Sequence, residues 1–346
     1  VAHYRFMLEP RPPFRLDFTV WALRRRAHNL LDRWDGRRYR RVLPIGRVVA
    51  QIEVTQTGPV ETPRLAVDVQ AARGTRNIEA AVTGALLRLL GLDIDLDGFH
   101  AFAAGDPRLA PLARRFRGLK PPRFTTPFEA LTNAIACQQL SLDVGILLLN
   151  RLALRFGAHA ADDAYAFPVP SELARHRPDS LRTLGFSRHK AQALLELARA
   201  VADGVVDLDG LAAEDDAAAV ARLCALRGIG RWSAEYVLLR GFGRTHVFPG
   251  DDVGARNHLA RWLHRRRPLD YAGVQRVLTP WRPYAGLIYL HLLLDALPGQ
   301  KGTAKGDRLK FPRFNGPLAG SQVGRLECQR SHLPNMGMTP LTVIEH

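Results

Sequence analysis

The sequence predicts an α+β N-terminal domain with a small antiparallel sheet, followed by a mainly all-α core. Three observations carry this. Val48, Ala50, Ile52 and Val54 alternate with Gln51, Glu53 and Thr55, and Leu65, Val67 and Val69 repeat the pattern after a Gly58-Pro59 turn, as two half-buried strands joined by a turn would. Helical patterns at residues 19–31 and 78–90 flank these strands. From Lys120-Pro121-Pro122-Arg123 onward the apolar repeats take helical spacing almost throughout.

The expected units are therefore residues 1–118, residues 119–299 and a tail of residues 300–346. In the first unit, Arg37, Arg38, Arg40 and Arg41 are expected to make an arginine-rich surface face. In the second, Thr126-Pro127-Phe128-Glu129 reads as an N-cap, a proline at N1 and a capping-box glutamate. Helices are expected over residues 127–136, 144–154, 189–202, 216–226, 231–241, 253–264 and 284–297. The tail has Gly and Pro at intervals and little periodicity, and is expected to be a disordered basic segment.

Composition narrows the function. The chain has 346 residues, with 49 Lys and Arg against 33 Asp and Glu and a formal net charge of +16, which favours a polyanionic partner. Only five of the basic residues are lysine (Lys120, Lys190, Lys301, Lys305 and Lys310), so a general preference for arginine contributes to that charge. Three cysteines, Cys137, Cys224 and Cys328, lack the spacing of a zinc site, an iron–sulfur cluster or a disulfide framework. No metal ligand set is expected. The apolar run at residues 284–297 contains His291 and is too short to span a bilayer. No basic-then-apolar signal pattern opens the chain, and a cytoplasmic, nucleoid-associated location without membrane contact is expected.

The chemistry concentrates in residues 226–252. Gly228-Ile229-Gly230 forms a turn between two helical patterns, and Arg231-Trp232-Ser233-Ala234 opens the second helix. Free N–H groups and the dipole at such a helix start favour an anion. The turn reads as a helix–hairpin–helix gripping a DNA phosphate, against the plainer reading of a glycine-capped corner. Asp251 and Asp252 follow Pro249-Gly250 and precede the next helix; Asp251 is expected to cap it, leaving Asp252 free for chemistry. Trp232 and Tyr236, four apart, share a helix face on which an extruded base could stack, or they belong to the core. Trp281 and Tyr289 are expected in the core. Gln138-Gln139-Leu140-Ser141, at a helix–helix junction, could wedge into the space a base leaves behind.

Taken together, these residues resemble the helix–hairpin–helix superfamily of DNA glycosylases, and within it the AlkA-type 3-methyladenine-DNA glycosylases. The resemblance covers roughly residues 3–297. It rests on Phe128-Glu129 with Ile135, on Gln138 to Ser141, on Gly185 with Lys190-Ala191, on Leu226 to Ala234, on Phe248 to Asp252 and on Trp281-Arg282-Pro283-Tyr284. It implies that Asp252 is the catalytic aspartate and that Trp232 and Tyr236 line the base pocket. It implies DNA contacts from Gly228, Ile229, Gly230, Arg231, Ser233, Gln138 and Lys190, with a wedge at Gln139 and Leu140 beside it. The partner implied is double-stranded DNA containing damaged bases, bound by a monomer. No cofactor is required; relatives place a structural monovalent cation at the hairpin.

Two departures bear on the chemistry. Bifunctional relatives carry a lysine where this chain has Trp232, and no lysine lies between Lys190 and Lys301, so no lyase step is expected. Leu293 stands roughly where some relatives place a tryptophan. The expected activity is monofunctional hydrolysis of the N-glycosidic bond of alkylated bases. The alternatives are a glycosylase for oxidised bases such as 8-oxoguanine and a non-catalytic helix–hairpin–helix DNA-binding protein.

Overall fold

A computed structural model describes residues 1–46, 48–74 and 76–297; the expected tail lies outside the described residues. The first part contains β1 (Ala2–Leu8), α1 (Leu16–Arg24), β2 (Arg33–Trp34), β3 (Arg38–Ile45), β4 (Val48–Gln56), β5 (Leu65–Ala71) and α2 (Ile78–Leu90). Next come α3 (Asp97–Ala104), α4 (Leu109–Arg115), α5 (Pro127–Cys137) and α6 (Leu142–Phe156). Then follow α7 (Pro170–Leu173), α8 (Pro178–Arg182), α9 (Arg188–Ala202), α10 (Leu208–Leu211), α11 (Asp216–Cys224) and α12 (Arg231–Val237). A π-helical segment (Leu238–Phe242) continues α12, and α13 (Val253–Trp262), α14 (Tyr271–Val277), a 3-10 segment (Thr279–Tyr284) and α15 (Ala285–Ala296) complete the core.

The five strands form one antiparallel sheet in the order β1-β5-β4-β3-β2, with Ile52 opposite Val69 on one side and Arg41 on the other. The expected strands are β4 and β5. β1, β2 and β3 were not anticipated: arginines and Pro44 obscure the alternation in β3, and His3 and Arg5 do so in β1. The first helix ends at Arg24 instead of running to residue 31. Arg25 takes a left-handed conformation (φ 60°) that stops it, and the Asn29 side chain then accepts from the N–H groups of Leu31 and Asp32 to shape the following loop.

Arg41 corrects the expected arginine-rich face. It is buried, and its guanidinium bridges Asp32 Oδ1 at 2.5 Å and Glu129 Oε1 at 2.6 Å, both also buried. Glu129 therefore ties the sheet to α5. At the start of α5 the Thr126 hydroxyl accepts from Glu129 N (3.1 Å), as a cap should. The Glu129 carboxylate reaches Thr125, one residue before the cap, and Arg41, so the reciprocal half of the box is displaced.

Two hydrophobic clusters organise the molecule. One joins Ile52, Val54 and Val67 of the sheet and Val82 and Leu86 of α2 to Leu131 and Ile135 of α5 and Leu194 of α9. The other joins Ala22, Phe99 and Phe116 to Leu259, Ile288 and Leu290. Both cross residue 118. α5 is buried from Pro127 through Ala136 and is the central post against which α6, α9 and α12 pack.

Candidate active site

The turn between α11 and α12 is built around Gly228. Its φ of +76° favours glycine, and a Cβ there would lie 2.8 Å from the Ala193 Cβ of α9. Leu226 O accepts from Ile229 N and closes the turn. Gly230 occupies the N-cap of α12 with no side chain capping the helix, and the space where its Cβ would stand is open. The first N–H groups of α12 therefore face an approachable surface, while Ile229 is buried beneath as an anchor.

One turn into α12, Trp232 and Tyr236 stack with ring centroids 5.7 Å apart and planes tilted by 30°. Trp232 Nε1 donates to Asp252 Oδ2 at 3.3 Å, and Tyr289 OH, from α15, donates to the same oxygen at 3.1 Å. The other carboxylate oxygen, Oδ1, accepts from Ala255 N at 2.8 Å. This reverses the expected division of labour: Asp252 itself caps α13 while presenting its second oxygen to Trp232 and Tyr289. Asp251 instead pairs with Arg231 at 2.7 Å.

The turn that carries both aspartates is held from behind by Glu235. Its buried carboxylate accepts from Gly250 N (2.9 Å) and Tyr271 OH (2.6 Å), and burial pushes its pKa up. Gly250 leaves no room for a side chain, since a Cβ would meet the Tyr271 ring at 2.7 Å. Arg231 lies over that same ring at 3.7 Å. Its guanidinium is thus engaged by Asp251 and Tyr271.

Asp252, Trp232, Tyr236 and Tyr289 line a cavity of about 1000 Å³. Gln138, Gln139, Leu140, Lys190, Arg25, Cys137 and Leu293 also line it. Tyr289 is buried, as expected of a core residue, but its hydroxyl belongs to the site; burial and the neighbouring Asp252 carboxylate raise its pKa well above the ordinary phenol value. Trp281 stays in the core, donating to Asp106 Oδ2 at 2.6 Å. Arg25 donates to Tyr236 OH (3.0 Å) and to Asn133 Oδ1 (2.5 Å), fixing the back of the aromatic wall. Sequence reading missed Arg25, Tyr289 and Glu235. Glu235 offered a cue, an acidic residue between Ala234 and Tyr236 on α12; Arg25 had no local signal.

The other expected contact residues divide. Gln139 (φ +54°) and Leu140 are exposed at the α5–α6 junction. Gln138 turns inward, its amide donating to Gly228 O at 2.8 Å and to the buried Ser233 Oγ at 2.9 Å. Lys190 Nζ donates to the carbonyls of Gln138 (2.6 Å) and Ala136 (3.0 Å).

A glycine hairpin beside a carboxylate that accepts from one of two stacked aromatics defines the helix–hairpin–helix class of DNA-base-processing proteins. A family model described as HhH-GPD superfamily base excision DNA repair protein matches residues 132–283, and a model of the AlkA N-terminal domain matches residues 5–126, together more than half of the chain. The chain belongs to this superfamily, in its AlkA-type branch. It is 26% identical over 290 residues to DNA-3-methyladenine glycosylase 2 of Escherichia coli, covering 83% of this chain and 96% of that protein. It is 28% identical to the DNA-3-methyladenine glycosylase of Bacillus subtilis, over 58% of this chain and 67% of that one. Among solved structures, the 3-methyladenine DNA-glycosylase from Archaeoglobus fulgidus superposes with a TM-score of 0.72 at 25% identity, covering 84% of this chain and 97% of that one. Among the described residues, no helix is long and apolar enough to cross a membrane.

Proposed function

We infer that this protein is a DNA glycosylase of base excision repair that removes alkylated bases of the 3-methyladenine kind. The observation that carries the inference is the Asp252 oxygen held by Trp232 and Tyr289 on the cavity lining. The approachable N–H groups at the start of α12 bind a backbone phosphate. The damaged nucleotide leaves the stack and its base enters the cavity against Trp232 and Tyr236, while Gln139 and Leu140 fill the space it vacates.

An alkylated purine is cationic and departs as a neutral base, so it needs little help from an acid. The positive charge developing on the sugar is what requires stabilisation. Asp252 supplies it and orients the attacking water. Its carboxylate is oriented for that role by three donors, Ala255 N on one oxygen and Trp232 Nε1 and Tyr289 OH on the other. Trp232 stands where bifunctional relatives carry an amine nucleophile, and the Lys190 ammonium on the cavity lining is turned to the Ala136 and Gln138 carbonyls, so base release without strand cleavage is expected. A monovalent cation at the hairpin would be held by backbone carbonyls of the turn that joins α11 to α12.

The test is release of free base from duplex DNA carrying 3-methyladenine or 7-methylguanine, compared with an 8-oxoguanine duplex. The expected outcome is release from the methylated duplexes, with the strand cut only after alkali treatment. Release confined to 8-oxoguanine would favour the oxidised-base alternative. Binding without release from any duplex would favour a non-catalytic binder.

A further inference from the structure

We propose that Lys190 is a positioning residue for the wedge: its ammonium clamps the end of α5 so that Gln139 and Leu140 stand ready to enter the duplex. The proposal rests on the base-flipping reading above. A basic residue next to a DNA-binding cavity ordinarily reads as a phosphate contact, but the geometry here is different.

Lys190 lies in the first turn of α9, in an Arg188-His189-Lys190 run with no acidic residue to complement the helix dipole. A cation there is disfavoured by its own helix. It is favoured by another: Nζ reaches across to α5 and donates to the carbonyls of Ala136 and Gln138 at 3.0 and 2.6 Å. These are among the carbonyls that a helix C-terminus leaves without partners. Cys137 O accepts from Leu140 N at 3.4 Å, so the carbonyls from Ala136 through Gln138 are all engaged. Desolvation lowers the Lys190 pKa, consistent with an ammonium turned into the protein.

The clamp acts next to a strained point. Gln139 holds a φ of +54°, a conformation that a residue other than glycine keeps only when its surroundings impose it. One residue earlier, the Gln138 carbonyl is held by Lys190 and the Gln138 side chain by Gly228 O and Ser233 Oγ of the hairpin. A hydrogen-bonded chain thus runs from α9 through the wedge junction to the phosphate-binding turn. Wedge and hairpin are held in one register, and a duplex gripped by the hairpin meets a wedge already in place.

The experiment measures single-turnover release of 7-methylguanine by Lys190→Met, together with affinity for a duplex carrying an abasic-site analogue across a salt series. Lys190 is only partly buried, and thermal unfolding of the variant verifies its fold. Removing two charge-assisted hydrogen bonds should slow release about tenfold or more. Abasic-duplex affinity and its salt slope should stay unchanged, and the deficit should shrink when the lesion lies in a mismatch that is already unstacked. Lys190→Gln, a neutral donor, should recover part of the rate. Equal weakening on every DNA, with the salt slope reduced by about 0.9, would make Lys190 a phosphate contact and overturn the proposal. Unchanged release would overturn it as well. The double variant Gln139→Ala/Leu140→Ala separates the two readings: if it excises normally, the wedge reading fails, and if it is impaired while Lys190→Met is not, only the positioning role fails.

Discussion

The two walls of the cavity are assembled in opposite ways. The hairpin wall, with Trp232, Tyr236 and Asp252, comes from one stretch of chain in which a glycine turn, a helix and a second turn follow one another. The second part of the lining draws Arg25 from the end of α1 and Tyr289 from α15, joined to the first by hydrogen bonds to Tyr236 and Asp252, with Asn133 of α5 bonded to Arg25 behind it. Local geometry aims the first wall; tertiary packing aims the second. The hairpin wall should therefore tolerate loss of its surface contacts, and the second wall should depend on buried polar groups.

The sharpest contrast lies in the ion pairs. Arg41→Met leaves Asp32 and Glu129 buried without their cation, and should destabilise the fold by about 3–5 kcal/mol in denaturant unfolding. Arg231→Ala breaks the Asp251 pair, whose arginine side is half exposed, and should cost no more than about 1 kcal/mol. Similar losses from the two substitutions would erase the distinction.

A second effect belongs to α15, which carries Tyr289. Burial lowers the His291 pKa from 6.5 to about 4, while Nδ1 stays bonded to Leu287 O. The unfolded chain therefore takes up the proton first as pH falls. The contribution is intact above about pH 6.5 and declines as pH drops toward 4, by about 3 kcal/mol. Thermal unfolding across that window should show the decline, and His291→Leu should flatten it. A flat wild-type profile would contradict the buried neutral imidazole.

The smallest expected effect compares the walls at the carboxylate itself. Tyr289→Phe and Trp232→Phe each remove one donor to Asp252 Oδ2, and each should lower single-turnover release about tenfold. If only Trp232→Phe matters, the second wall is structural and the site is the hairpin wall alone.

The same contrast explains what could be read from the residues. Gly228 and Gly230 were legible because a tight turn demands particular backbone angles, and Thr126 because a helix start demands a cap. The sheet was half legible: β4 and β5 alternate cleanly, whereas arginine at positions 38, 40 and 41 disguised β3. Arg41 was read as surface because its partner Glu129 is distant in sequence, and nothing local announces a buried pair. Tyr289 was placed correctly in the interior, but its hydroxyl meets Asp252 only through packing of α15 on α13. The exchange of roles between Asp251 and Asp252 turns on one residue of cap register, which adjacent identical side chains cannot reveal.

The central claim is that Asp252 serves two functions through two oxygens, capping α13 with one and stabilising the sugar cation with the other. Asparagine caps a helix about as well as aspartate but carries no charge. Single-turnover release of 7-methylguanine by Asp252→Asn, with thermal unfolding and abasic-duplex affinity measured on the same sample, separates the two. The account predicts unchanged folding and binding with release reduced by about a hundredfold or more. Release within a fewfold of wild type would contradict it and leave Asp252 as a helix cap alone.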